Sequence, residues 1–438
     1  MKVRVSLPRW FLIAAGLVVL PTGAAPAQQP DSLPVVTLDQ AVERSLERSP
    51  ALAQASQSVD NAATGRRTAY GAFLPSLSAS SGASLRSQDR FDPGTDRIVS
   101  GSTDSYTAGL SASYDVFTGG KRFADLDRSR ADLLAAEARR EEQRFQVSLQ
   151  TKQLFFTALR QGELLEVARS RLRQAEESMD MTRRQARAGL ATASDTLRAR
   201  LEMINARQAV LQAETGTRSA RFSLGRQIGE ARPVVPMAPA GLTPMPLALS
   251  DSAILALAEE GSPSVRAFQA ATGAAAAAYS SARTGYLPTL RVSSGYNWAN
   301  EAASFGGGSA SWSLSMSGSY PIFNGFQREA TIARADEARV VTRLQEEDAR
   351  LAARQEADAA LRTVATATAA IDIAGEAVRV AEEDLRVVRE RYRVGVATVL
   401  DVVTSQISLD QARVNLVGSR YDYVTAKAQL EAILGRQL

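Results

Sequence analysis

Hydrophobic and polar positions along this chain follow two different periods, and the switch between them comes twice. In SWSLSMSGSYPIF, residues 311–323, Trp312, Leu314, Met316, Tyr320 and Ile322 alternate with Ser311, Ser313, Ser315, Ser317 and Ser319. Successive side chains of an extended strand point to opposite faces, so the pattern predicts a strand with one greasy face and one small, polar face. The same alternation appears in three other segments. Leu77, Ala79, Ala83 and Leu85 alternate with serines; Tyr106, Ala108, Leu110, Ala112, Tyr114 and Val116 with Thr107, Gly109, Ser111, Ser113 and Asp115; and Leu290, Val292, Tyr296 and Trp298 with Arg291, Ser293 and Asn297. Strands are therefore predicted near 76–90, 103–117, 289–299 and 310–323.

Elsewhere the period is that of a helix. From Gly119 to Arg187, and again from Gly325 to Arg393, there is no proline and only scattered glycine. A helix of that length measures on the order of 100 Å. Leu165, Ala168, Leu172, Ala175, Met179, Thr182 and Ala186 step alternately by three and four, as do Val378, Ala381, Leu385, Val388 and Tyr392. This is the spacing of coiled coils, so the long helices pack side by side. An ordinary bundle core explains each position taken singly but not the length. Near the start, Thr37 and Gln40 form a capping box that opens a helix, and Pro50 predicts a break soon after it.

The chain repeats itself. SPALAQASQ…GAFLPSLSASSGASL, from Ser49 to Leu85, is echoed by SPSVRAFQA…TGYLPTLRVSSGYNW, from Ser262 to Trp298, at a spacing of 213; RAGLATASDTL at 187–197 is echoed by RVGVATVLDVV at 393–403, at a spacing of 206. The difference of seven residues falls between the two strands of each half, where a hairpin loop is expected to vary. Two tandem repeats of helix, strand, strand, long helix and returning helix thus occupy residues 37–229 and 250–438, joined by a proline-rich linker at 230–249.

Composition decides which solvent the greasy strand faces meet. Lys2, Arg4 and Arg9 precede the apolar run WFLIAAGLVVL and the small-residue site Ala25-Pro26-Ala27, the form of an export signal over residues 1–27. Without it the chain carries 48 basic against 47 acidic groups, a balance that offers nothing to nucleic acid. No later stretch reaches the ~18 consecutive apolar residues of a membrane helix, so any membrane insertion falls to the strands. With neither cysteine nor histidine, thiol nucleophiles, Cys/His metal sites and His-based triads are excluded, as is acylation of an N-terminal cysteine. No enzymatic activity and no cofactor is expected.

Strands apolar on one face and small and polar on the other, with aromatics toward their ends, suit an outer-membrane barrel. On that reading Tyr106, Leu110, Tyr114, Tyr296, Trp298, Trp312, Leu314, Met316 and Tyr320 face lipid. A soluble sandwich, or a sheet packed on the helices, is the alternative. Four strands cannot close a barrel, and an open edge in lipid leaves backbone groups unsatisfied, so closure needs further copies of the chain. Two copies give eight strands around a filled interior; three give twelve, with room for the water that the serine and glycine face implies.

In its residues the chain resembles the TolC-like outer-membrane efflux channel family. The resemblance is carried by the opening TLDQAVERSLERSPAL, by FLPSL and YLPTL before the hairpins, by FTGGKR and IFNGFQR after them, and by the paired turns AGLATASD and VGVATVLD, in this order twice over. It implies a mainly α fold with a membrane β-barrel: a homotrimer with a 12-stranded barrel in the outer membrane and a long periplasmic α-helical tube. It further implies a channel that takes substrates from a periplasmic adaptor protein and an inner-membrane transporter, in efflux or type I secretion. Asp115 departs from the pattern, standing where the second half has Pro321, so the first strand-to-helix junction is expected to differ in shape. Two other functions fit parts of the chain. A trimeric coiled-coil adhesin would gather its strands at the C-terminus, and a structural periplasmic protein would not associate with a membrane.

Two candidate sites follow. Gly189 and Gly395 each end a long helix and precede a capping-box pattern, Thr192-x-x-Asp195 or Thr398-x-x-Asp401. The resemblance makes these turns, Gly189, Leu190, Ala191, Gly395, Val396 and Ala397, the tips on which the adaptor docks. If the returning helix lines the tube, Asp401, with its counterpart Asp195, forms a pore constriction; the competing reading makes each only a helix cap. The family constriction often has a second acid three residues on, where this chain has Thr404.

Overall fold

Each half of the chain begins with two helices broken at a Ser-Pro step. The computed structural model describes residues 33–92, 94, 96–239, 243–245, 249–304 and 306–438, and of residues 86–92 and 97–103 only the backbone; the export segment at 1–27 lies outside the described residues. After a short strand, β1 (Val35–Val36), α1 (Leu38–Arg48) and α2 (Pro50–Gly71) meet at Ser49, which caps α2. The capping box expected at the start of α1 is present: Thr37 N donates to Gln40 Oε1 at 3.2 Å and Gln40 N to Thr37 Oγ1 at 3.3 Å. In the second half α5 (Asp251–Gly261) and α6 (Pro263–Arg283) meet in the same way at Ser262. Proline lacks the N–H that would continue the first helix, yet its fixed φ suits the first position of the second.

Strands follow these helices. β2 (Ser76–Asp92) and β3 (Arg97–Phe117) form the first hairpin; β5 (Thr289–Asn300) and β6 (Ser309–Ser319) form the second. All pairings are antiparallel and the sheet order is β2-β3-β5-β6, so β2 and β6 are its two edges. Both hairpins depart from the expected strand bounds. The seven extra residues of the first half lengthen the strands rather than the loop, since β2 and β3 stay paired from Ser76↔Ser113 out to Asp92↔Arg97. The first hairpin therefore projects past Asn300, where the pairing of β3 with β5 stops. In the second half the strand expected to reach 323 ends at Ser319, because Pro321 has no N–H to give a ladder.

From the sheet the chain enters α3 (Lys121–Arg187), which returns as α4 (Ala193–Gln227); the second half repeats this with α7 (Gln327–Arg393) and α8 (Val399–Leu434). Each long helix has 67 residues, about 100 Å. α3 packs along α4 and α7 along α8, while α3 also meets α8, joining the two halves. The principal core lies where α1, α3, α4 and α8 converge, around Phe155, Phe156, Leu224, Ile228 and Tyr421. The start of the linker joins this core: β4 (Val235–Pro236) pairs in parallel with β1, and Val36 and Val234 are fully buried.

Candidate functional site

The register of the sheet sorts its two faces. Leu110 stands opposite Tyr296 and Tyr296 opposite Trp312; Tyr114 stands opposite Val292 and Val292 opposite Met316. Tyr106, Trp298 and Leu314 occupy the same alternate positions, so these expected residues share one face. Leu110, Tyr114, Tyr296, Trp312, Leu314 and Met316 are exposed, Trp312 and Met316 by about two-thirds. Tyr106 and Trp298 are half-buried, and Trp298 donates its indole N–H to Gly307 O at 3.2 Å. Tyr320, also exposed, lies one residue past β6. Among the described residues no helix covers this apolar surface, which argues against a sheet packed on its own helices.

The other face is a ladder of hydroxyls. Ser76 and Ser113 hydroxyls lie 2.7 Å apart, Ser78 and Ser111 2.7 Å, and Ser293 and Ser315 2.9 Å. At the helix end of this face Arg291 grips Asp115 with two bonds, Nε to Oδ1 at 2.6 Å and Nη2 to Oδ2 at 3.2 Å. This explains the departure seen at Asp115: the first junction is shaped differently because β3 runs on to Phe117 through a register shift beside that ion pair.

Arginines at the two junctions form an arrangement that the sequence pattern did not assign. Arg122 lies over the rings of Phe73 and Tyr114, 5.3 and 5.2 Å from their centroids, and donates to Ala72 O and Val116 O at 3.3 and 3.2 Å. It thus ties the chain entering the sheet to the chain leaving it. Arg328 repeats this, 4.1 Å over Tyr286 and bonded to Pro321 O at 3.3 Å. The signal was the arginine shared by FTGGKR and IFNGFQR at the 206 spacing. Glycine is required beside it at Gly119, where φ is +62° and a Cβ would lie 2.4 Å from that of Leu287.

At the far end of the helices both turns have one construction. Leu190 N bonds Gln185 O at 2.8 Å and Val396 N bonds Arg391 O at 2.9 Å, closing α3 and α7 through Gly189 (φ +75°) and Gly395 (φ +84°). The next helices open on complete capping boxes. Thr192 N and Oγ1 donate to Asp195 Oδ2 at 2.9 and 2.7 Å; Thr398 N and Oγ1 donate to Asp401 Oδ2 at 2.7 and 2.8 Å. The backbone N–H of each threonine, followed by its hydroxyl, holds the carboxyl below the usual aspartate range. The cap reading is therefore realised for both aspartates. Asp401 Oδ1 lies outside the cap, and the Asp401 side chain is exposed. Gly189, Leu190, Gly395 and Val396 are exposed, while Ala191 and Ala397 are half-buried beneath them.

The fold of this chain is shared with solved outer-membrane channels. The chain aligns over 91% of its length with the Campylobacter jejuni CmeC outer membrane channel (TM-score 0.79, 17% identity, 85% of that chain). It aligns over the same share with the open state of the Neisseria gonorrhoeae MtrE outer membrane channel (TM-score 0.75, 22% identity, 89% of that chain). In sequence it is 31% identical over 398 residues to Protein CyaE of Bordetella pertussis, covering 87% of this chain and 80% of that protein. The adhesin and structural-protein readings account for neither likeness. The model of the outer membrane efflux protein family matches residues 41–230 and 254–436, one segment in each repeat, and the chain belongs to that family.

Proposed function

We propose that three copies of this chain assemble into one outer-membrane channel. The single observation that carries the reading is the sheet: four strands, apolar and exposed on one face, hydroxyl-lined on the other, with β2 and β6 unpaired at its edges. Joining β6 of one copy to β2 of the next satisfies both edges, and three copies close twelve strands around a hydrated lumen. The helices then continue that lumen as a tube in the periplasm. Substrates enter from an inner-membrane transporter through a periplasmic adaptor, which docks on Gly189, Leu190, Ala191, Gly395, Val396 and Ala397. Exposed Leu190 and Val396 offer the adaptor an apolar contact, held forward by the rigid turns. The cargo is small molecules, in efflux, or polypeptides, in type I secretion.

Cross-linking in purified outer membranes tests the assembly. A cysteine in β2 and one in β6, placed where the two edges of neighbouring copies would meet, should give a ladder ending at the trimer, with the protein resisting extraction by high salt and carbonate. A ladder ending at the dimer, or release by carbonate, overturns the reading.

A further inference from the structure

Helices α3–α4 and α7–α8 form two long hairpins, and the contacts inside a hairpin differ from those between them. Within α7–α8 an apolar cluster of Leu385, Val399, Val402 and Leu409 is flanked by polar links, among them Ser405 to Asp384 at 2.6 Å. Between the hairpins, toward the tips, polar links predominate: the Thr182 and Tyr392 hydroxyls at 3.2 Å, Gln185 to Tyr392 O at 3.2 Å, and Gln174 to Gln406.

In this seam Asp410 of α8 is 6% exposed, and neither of its carboxylate oxygens has a hydrogen-bond partner. The surrounding cations are committed to other groups. From α3, Arg171 Nε lies 3.5 Å from Asp410 Oδ2 but gives Nε and Nη2 to Glu202 of α4 at 3.0 and 2.7 Å. On α8 itself, Arg413 bonds Glu382 of α7 at 2.7 Å and Ser170 of α3 at 3.4 Å. Arg389 of α7 is held by Gln406, one turn before Asp410. A buried carboxylate held only by a shared ion pair 3.5 Å away, with no hydrogen bond of its own, is costlier while ionised than once protonated.

We propose that Asp410 is a proton-operated clasp between the two helical hairpins: protonated it lets the seam close, and ionised it favours parting of the hairpins, which admits water to the carboxylate. Burial pushes this carboxyl up to about 6 from an ordinary 3.8; Arg171 and Arg413 pull it down, Glu202 adds to the push, and the neighbouring Gln406 amide pulls it down more weakly. In the parted seam it returns toward the ordinary value. The closed seam thus takes up a proton between the two values, tightens as pH falls through 6 and loosens as pH rises. From pH 7 to pH 5 the ratio of closed to parted seam rises about tenfold. Asp195 and Asp401, held below the usual range by their caps, stay ionised throughout that window. The clasp lies within one chain; it rests on the channel reading only for its consequence, a path that shuts in acid.

The chain has no cysteine, so Arg187→Cys with Arg393→Cys places two nitroxide labels on the opposing helix ends. Pulsed electron paramagnetic resonance on the whole protein in lipid nanodiscs then reads the closed-to-parted ratio. Wild type should show the tenfold rise from pH 7 to pH 5. Asp410→Asn should stay closed at both, and Glu202→Gln should move the transition to lower pH. A pH response unchanged in Asp410→Asn, or absent from wild type, overturns the clasp. Conductance of the same labelled protein in planar bilayers judges the channel separately: label movement without current would sink the channel reading and leave the clasp standing.

Discussion

Leu314 and Ser315 are adjacent in sequence and face opposite sides of the sheet, so substitution at the two positions separates lipid from lumen. Arginine at 314 places a charge among Trp312, Met316 and Tyr296, at a cost of roughly 2–4 kcal/mol near the middle of a bilayer. Leu314→Arg should lower the yield of folded protein in lipid vesicles, read as resistance to urea, while Ser315→Arg, directed into water, should leave it nearly unchanged. Equal losses at both positions would contradict the placement of the two faces. The faces were legible because alternation is a local property that the backbone imposes on neighbours. The Asp115–Arg291 pair was not, because its members lie 176 residues apart and meet only once β3 pairs with β5. The junction arginines lie between these cases: visible as a repeat, but without a role until Phe73, Tyr114 and Tyr286 appear beneath them.

Among the elements, the tip turns are the most completely encoded. A glycine closing one helix and a Thr-x-x-Asp box opening the next act within a few residues, so the sequence alone located both. Gly395 has φ +84° and no atom within 4 Å of where its Cβ would stand, so a side chain there is resisted by the backbone alone. Gly395→Val should cost about 1–2 kcal/mol, confined to the turn. It should abolish coupling to the adaptor, measured by co-purification, with assembly unaffected; undiminished co-purification would remove Gly395 from the contact. The boxes also set a pH limit. A carboxyl held below its ordinary value stabilises the fold fully above that value and loses the effect as pH falls through its lowered one. Amide exchange at Asp195 and Asp401, corrected for intrinsic rate, should therefore be unaffected from pH 7 to 5 and accelerate only below about 3.8. By contrast, the extension of the first hairpin was hidden. RIVSGS, residues 97–102, lies ahead of the expected strand and has no apolar alternation to mark one, and its extended form depends on pairing with 87–92.

At the scale of the whole molecule, capping and gating stop being rival readings of Asp401. The cap uses Oδ2 alone, leaving Oδ1 free to act on an ion while the turn stays intact. If three returning helices surround one axis, three such oxygens converge on the periplasmic mouth, where a narrow, low-dielectric opening concentrates their field and favours cations. Thr404 supplies no second ring of charge, so the whole effect rests on Asp401 and, in the other repeat, Asp195. Asp401→Asn nearly preserves size and removes the charge. In planar bilayers at neutral pH it should reduce the preference for potassium over chloride, read from the reversal potential in a salt gradient, with the assembled protein unchanged. Asp195→Asn, made separately, reports whether the first repeat lines the same opening. If both variants keep the wild-type reversal potential while their tip amides exchange faster, the aspartates serve the caps alone, and the selectivity of the mouth must come from elsewhere in the wall.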